Sequence, residues 1–191
     1  MGLPGRENPF YFMKPADSIM PVCSDKFVNL PYPPKTNEFH HEVELVVVIG
    51  KEGKNISLNC AQQHIFGLAV GLDMTRRDLQ KKLREKSQPW ELAKAFDFSA
   101  PISKVHISDQ ITNIQDLKID LQINGIIKQS SNTSNMIFSV NEIICDLSQY
   151  FTLFPGDLLF TGTPEGVGPV EKGDEIVAEI ENLSALRVKI I

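Results

Sequence analysis

The run His40-His41-Glu42-Val43-Glu44-Leu45 places two carboxylates two positions apart at the entrance to Val46-Val47-Val48-Ile49. On a strand, side chains two apart share a face. His40, Glu42 and Glu44 then point one way, and His41, Val43 and Leu45 the other. Paired carboxylates beside so apolar a run are costly to bury without a compensating cation. A hard divalent ion held by oxygen ligands would supply it; the alternative is a solvated strand face that is merely acidic.

Three further segments carry groups able to do chemistry. In Gly71-Leu72-Asp73-Met74-Thr75, Asp73 ends an apolar run. It is either a third carboxylate of the same site or a helix N-cap, a position Asp suits well. Arg77, Gln80 and Arg84 follow at i, i+3 and i+7, a stripe that faces either an anionic substrate or solvent. In Gln88-Pro89-Trp90-Glu91-Leu92-Ala93-Lys94-Ala95-Phe96-Asp97, Lys94 could stabilise a developing oxyanion or carbanion, or be an ordinary surface lysine. Thr161-Gly162-Thr163-Pro164-Glu165-Gly166-Val167-Gly168 combines glycines and hydroxyls that bring backbone N–H groups and a Thr Oγ to a carboxylate, or forms a plain turn. It lacks the lysine of a P-loop.

The elements that must position these groups are mostly strands. Residues 38–50 alternate and then turn solidly apolar, predicting a long strand with a buried end. Residues 66–74 are a second apolar run of strand length. Residues 117–123 alternate up to Asn124-Gly125, a turn pair whose positive φ values suit a hairpin into Ile126-Ile127. Residues 158–161 and 175–180 each follow a Gly-Asp turn, and 185–191 alternate again. Two helices are predicted: 76–86, with Leu79 and Leu83 on one face, and 139–151, opened by a Ser139/Glu142 capping box with Ile143, Ile144, Leu147 and Phe151 on one face. With no βαβ alternation, a curled, mainly β architecture with a few peripheral helices follows.

Bulk properties narrow the function. The chain has 191 residues, enough for one domain with a substantial core. Its net charge of -5 argues against a nucleic-acid partner, which needs a basic patch. No apolar run has the length of a membrane span. Met1-Gly2-Leu3-Pro4-Gly5-Arg6 shows no signal-peptide pattern, and Arg6 stands where a myristoylation site wants Ser or Thr. Cys23, Cys60 and Cys145 are odd in number, with long spacings and no CxxC. Reduced thiols in a cytoplasmic protein are expected.

Taken in order, Phe10-Tyr11-Phe12-Met13-Lys14-Pro15, His40 to Leu45, Gly71 to Thr75, Trp90 to Asp97 and Thr161 to Gly168 resemble the fumarylacetoacetate hydrolase family. The resemblance is closest to its small single-domain branch of acylpyruvases and oxaloacetate decarboxylases. It implies a mixed β-roll, usually a homodimer, with residues 1–191 as one catalytic domain. It implies Mg²⁺ or Mn²⁺ on Glu42, Glu44 and Asp73. Arg77, Gln80, Lys94 and Thr163 would surround the carboxylate of a small 2-oxo acid, with Lys94 and Gln80 as catalytic residues.

The implied reaction is C–C bond hydrolysis of acylpyruvates or related diketo acids through a metal-held enolate. Alternatives are oxaloacetate decarboxylation or tautomerisation, 2-hydroxyhepta-2,4-diene-1,7-dioate isomerisation/decarboxylation, or an inactive metal- and ligand-binding domain. The resemblance also implies a His-x-x-Glu segment, a water-activating dyad, ahead of the Phe-x-Lys-Pro strand. This sequence begins at about the point where that segment should end.

Overall fold

The alternation in residues 43–49 becomes a strand whose two faces meet different surroundings. The computed structural model describes residues 7–111 and 113–191, so the reading of residues 1–6 lies outside the described residues. Val43, Leu45, Val47 and Ile49 enter the main core with Leu68, Val70 and Leu72 of the neighbouring strand. Val46 and Ala69, on the opposite face, join a smaller apolar cluster with Ile102, against which Val105, Leu158 and Phe160 pack.

Two large sheets and one small sheet form the frame. The first runs in the order Ile19–Val22, Ala100–Ser103, Ile65–Leu72, Val43–Ile49, Leu158–Phe160, with His106–Ile107 paired to Ile65–Leu72. The second runs Ile126–Asn132, Lys118–Ile123, Glu175–Ile180, Leu186–Ile190, Val28–Leu30. Ile19–Val22 lies parallel to Ala100–Ser103, and Val28–Leu30 parallel to Leu186–Ile190, among otherwise antiparallel pairings. The architecture is thus the expected mainly β roll of mixed sheets. Its main core lies between the two large sheets, where Ile119, Leu121, Ile176, Ala178 and Val188 meet the first sheet's inner face.

The hairpin at Asn124-Gly125 forms as predicted, with φ of 52° and 77°. The helix Arg77–Glu85 forms within the predicted 76–86 and buries Leu83. The helix Val140–Tyr150 carries the capping box: Ser139 Oγ accepts from the Glu142 amide, and Glu142 Oε2 accepts from the Ser139 amide at 2.7 Å. Phe151 departs from its expected face. It follows the last helical residue in an extended conformation and is 45% exposed.

Two predicted strands change course for a common reason. Residues 38–50 divide into Phe39–His41 and Val43–Ile49; the run predicted over 66–74 forms Ile65–Leu72, and a short strand Thr75–Arg76 follows it, where residue 76 was expected to open the helix. The early piece of one and the late piece of the other leave the large sheet together and pair in the small sheet, joined by Gly168–Pro169. Glu42 and Asp73 stand at the two corners. A ladder bond survives there, since the Asp73 amide donates to the Glu42 carbonyl at 2.9 Å.

Candidate active site

Strand register builds the acidic cluster. Val43 pairs with Leu72 and Glu44 with Gly71, so Glu42 lies opposite Asp73. Side-chain alternation places Glu42, Glu44, Gly71 and Asp73 on one face. Gly71 is required there, since a Cβ would come within 2.4 Å of Val46 Cγ2 and 2.6 Å of the Phe160 ring. Glu42, Glu44 and Asp73 are all buried, and each offers an oxygen within 4.8 Å of the others.

Three cations converge on these oxygens. Lys94 Nζ bridges the corner strands, 2.9 Å from Glu42 Oε2 and 2.6 Å from Asp73 Oδ2. Far from being a surface lysine, it is 2% exposed. It comes from the short helix Glu91–Lys94, and the Phe12 ring centroid lies 5.0 Å from its ammonium. Arg77 donates to Glu42 Oε1 and to Gln80 Oε1, which draws the first turn of helix Arg77–Glu85 into the site. Arg84, seven residues beyond Arg77, is exposed and stays outside.

The third cation is Lys14, which the residue types alone did not single out. Its Nζ lies 2.8 Å from Asp73 Oδ1 and donates to the carbonyls of Lys94 and Ser99, holding residues 10–15 against the site. Those residues form no strand, contrary to the expected Phe-x-Lys-Pro strand. Burial lowers the Lys14 pKa, and the Asp73 carboxylate only partly offsets it. A lysine locked before proline in an aromatic run was the available signal.

Glu44 has no cation in direct contact among the described residues. The Gly162 amide donates to its Oε2 at 2.7 Å, from a backbone with φ of 93° that glycine adopts without strain. Burial, then the charges of Asp73 and Glu42, push its pKa up to about 8; the Gly162 amide and Lys94 oppose this without cancelling it. Asp73 Oδ1 is buried and has the Lys14 ammonium beside it at 2.8 Å. A cluster of hard oxygens with one carboxylate starved of positive charge fits a divalent cation.

The remaining predicted groups are placed as follows. Thr163 follows Gly162, and its Oγ1 accepts from Gln129 Nε2 at 2.8 Å. His41 also turns to Gln129, with Nδ1 3.0 Å from its Oε1. His40 was expected beside Glu42 and Glu44, but its ring does not join the oxygens of the cluster. Burial, then the Arg77 guanidinium, lowers its pKa to about 4, so it stays neutral at pH 7. Gln129, itself 1% exposed, was not foreseen; it sits eighty-eight residues from His41 in a polar strand that gives no local sign of its partners.

Comparison with known proteins identifies the family of the chain. The family model "Fumarylacetoacetate (FAA) hydrolase C-terminal" matches residues 2–191. A fumarylpyruvate hydrolase from Ralstonia sp is 41% identical over 184 residues, covering 96% of this chain and 93% of the relative. The mitochondrial oxaloacetate tautomerase of Homo sapiens is 40% identical over 182 residues, covering 95% and 80%. The crystal structure of fumarylpyruvate hydrolase from Pseudomonas aeruginosa, in complex with Mn²⁺ and pyruvate, superposes with a TM-score of 0.96 at 48% identity, covering 98% and 81%. Sequence, fold and these matches together show that the chain belongs to the fumarylacetoacetate hydrolase family.

Proposed function

We propose that residues 1–191 form one catalytic domain that hydrolyses a C–C bond of acylpyruvates or related 2,4-dioxo acids with Mg²⁺, or Mn²⁺, on Glu42, Glu44 and Asp73. The observation that carries this reading is the Lys94 ammonium set between Glu42 and Asp73, beside a third buried carboxylate. The relatives named for fumarylpyruvate hydrolysis, and the solved relative holding Mn²⁺ and pyruvate, support it. The family resemblance also supports a homodimer, and three cysteines without disulfide or CxxC spacing support a cytoplasmic location.

When bound, the divalent ion supplies Lewis acidity at the 2-oxo group. Arg77, pinned by Glu42 and Gln80, presents its remaining N–H groups to the substrate carboxylate. Thr163 accepts from Gln129, which leaves its hydroxyl hydrogen to donate to that same carboxylate. Water adds to the distal carbonyl. The C3–C4 bond breaks with its electron pair left on C3; C4 leaves as a carboxylic acid holding the water's oxygen, and C3 takes up a proton in exchange for the one the water gives up, giving pyruvate. Lys94 holds positive charge beside this fragment while the pair develops.

One observation favours a second reading. Among the described residues, no histidine joins the acidic cluster to activate a water. Keto–enol tautomerisation of oxaloacetate needs only a proton moved between C3 and oxygen, and a relative named oxaloacetate tautomerase supports this alternative. The test is loss of acetylpyruvate enol absorbance with Mg²⁺ and then with EDTA, with pyruvate assayed as product. EDTA-sensitive pyruvate release establishes the hydrolase. Oxaloacetate enol loss without acetylpyruvate cleavage establishes the tautomerase, and activity indifferent to EDTA overturns both.

A further inference from the structure

Residues 10–12 and 88–91 form a hollow beside the cluster that the reaction above does not use. Two anchors fix its near wall. Lys14 pins one end to Asp73 and the Lys94 carbonyl, and the Tyr11 hydroxyl donates to Asp146 Oδ2 of helix Val140–Tyr150 at 2.8 Å. On either side of Tyr11 the rings of Phe10 and Phe12 meet Trp90, with centroids 5.6 Å and 6.0 Å away. The Phe12 ring covers the Lys94 ammonium at 5.0 Å, so the aromatic group begins where the cluster ends. The hollow has a volume of about 300 Å³ and is lined also by Gln88, Pro89 and Glu91.

Its walls have a definite chemistry. Phe10 is 72% exposed and Phe12 40%, so both rings hold apolar surface in water beside a reactive centre. Among the described residues, no basic side chain lines the hollow, and Glu91 is its ionisable acid. Tyr11 offers a phenol kept protonated by burial and by Asp146 behind it. Lys94, whose ammonium Phe12 covers, is engaged by Asp73 and Glu42, and Lys14 by Asp73. A second carboxylate entering here would lose hydration without gaining a cationic partner among the described residues and would face Glu91.

We propose that this hollow receives the part of the substrate distal to the 2-oxo acid and selects a neutral apolar or aromatic acyl group over one ending in a second carboxylate. The proposal rests on the 2-oxo acid reading given above.

The chain's single tryptophan, Trp90, reports directly on the hollow. Its fluorescence is titrated, with Mn²⁺ present, against pyruvate, 2-oxo-4-phenylbutanoate and 2-oxoglutarate, none of which has a 4-oxo group to cleave. The phenyl acid is expected to bind at least about tenfold tighter than pyruvate, and 2-oxoglutarate no tighter. Phe10→Ala should bring the phenyl-to-pyruvate affinity ratio close to one, and Glu91→Lys should raise the affinity for 2-oxoglutarate relative to pyruvate. Pyruvate binding with no preference among side chains, or a preference for 2-oxoglutarate, overturns the acyl subsite and leaves the 2-oxo acid reading standing. Failure of all three to bind overturns that reading itself. A change in sedimentation on Phe10→Ala, with the ratio unmoved, would assign the rings to contact between copies and also overturn the subsite.

Discussion

Gln129 Nε2 donates to Thr163 Oγ1 at 2.8 Å, and the same amide nitrogen donates to the Pro164 carbonyl at 2.9 Å. On its other side Gln129 Oε1 accepts from the Val43 amide at 3.1 Å and faces His41 Nδ1. One buried side chain thus joins the corner of the carboxylate strand to the loop that carries Gly162 and Thr163. Replacing it by leucine leaves the shape similar but strands the Val43 amide and the loop acceptors. Gln129→Leu is expected to destabilise the fold by about 3 kcal/mol, measured by urea unfolding. A loss below about 1 kcal/mol would mean that the loop holds its place without the amide.

Asp73 contributes one of the three oxygens that lie together, at the corner opposite Glu42. Asp73→Asn keeps the shape and removes the charge. Substitutions behind a ligand typically cost 10- to 100-fold in metal affinity, so loss of a ligand should exceed about 100-fold. Calorimetric titration with Mn²⁺ measures this. Unchanged affinity would place the ion elsewhere.

Lys94 competes with any dication for Glu42 Oε2 and Asp73 Oδ2. Lys94→Met preserves the packing under Phe12 and removes the ammonium. Mn²⁺ affinity should hold or rise, while turnover of acetylpyruvate, or of oxaloacetate enol, falls by about 10²- to 10³-fold. Normal turnover would remove Lys94 from the chemistry.

Asp78 fastens the approach to the first corner strand. Partial burial opposes its ionisation, but the Thr36 hydroxyl and the amides of Asn37 and Leu79 outweigh it and hold its pKa below the ordinary value. A carboxyl with a lowered folded pKa stabilises above its unfolded value, about 3.9, and that stability is lost as pH falls through the folded value. Asp78→Asn should therefore lower the melting temperature at pH 7, and the two proteins should converge on acidification below that range. A constant difference across the titration would locate the effect in packing instead.

The carboxylates were legible because period-two alternation fixes which side chains share a face, and the glutamates at 42 and 44 interrupt an apolar strand of that period. The capped helix was legible because its stop and start signals are local. The sheet switch at Glu42 and Asp73 was not, since it depends on partners far along the chain: Gly168–Pro169 pairs with residues 40 and 41. Lys14 and Gln129 were hidden for the same reason, as their partners lie 34 to 88 residues away. The short strands Val28–Leu30 and Ala100–Ser103 are too brief to show a period.

The pairing of Glu42 with Asp73 also limits how this chain can vary. The strand that sends Val43, Leu45, Val47 and Ile49 into the core sends Glu44 the other way. Inserting or deleting one residue within 43–49 would exchange the two sets, driving carboxylates into oil and valines into the catalytic cleft. Folding and chemistry therefore share one reading frame in this strand. Descendants of this sequence can change length at its loops, but a length change here loses both inheritances at once.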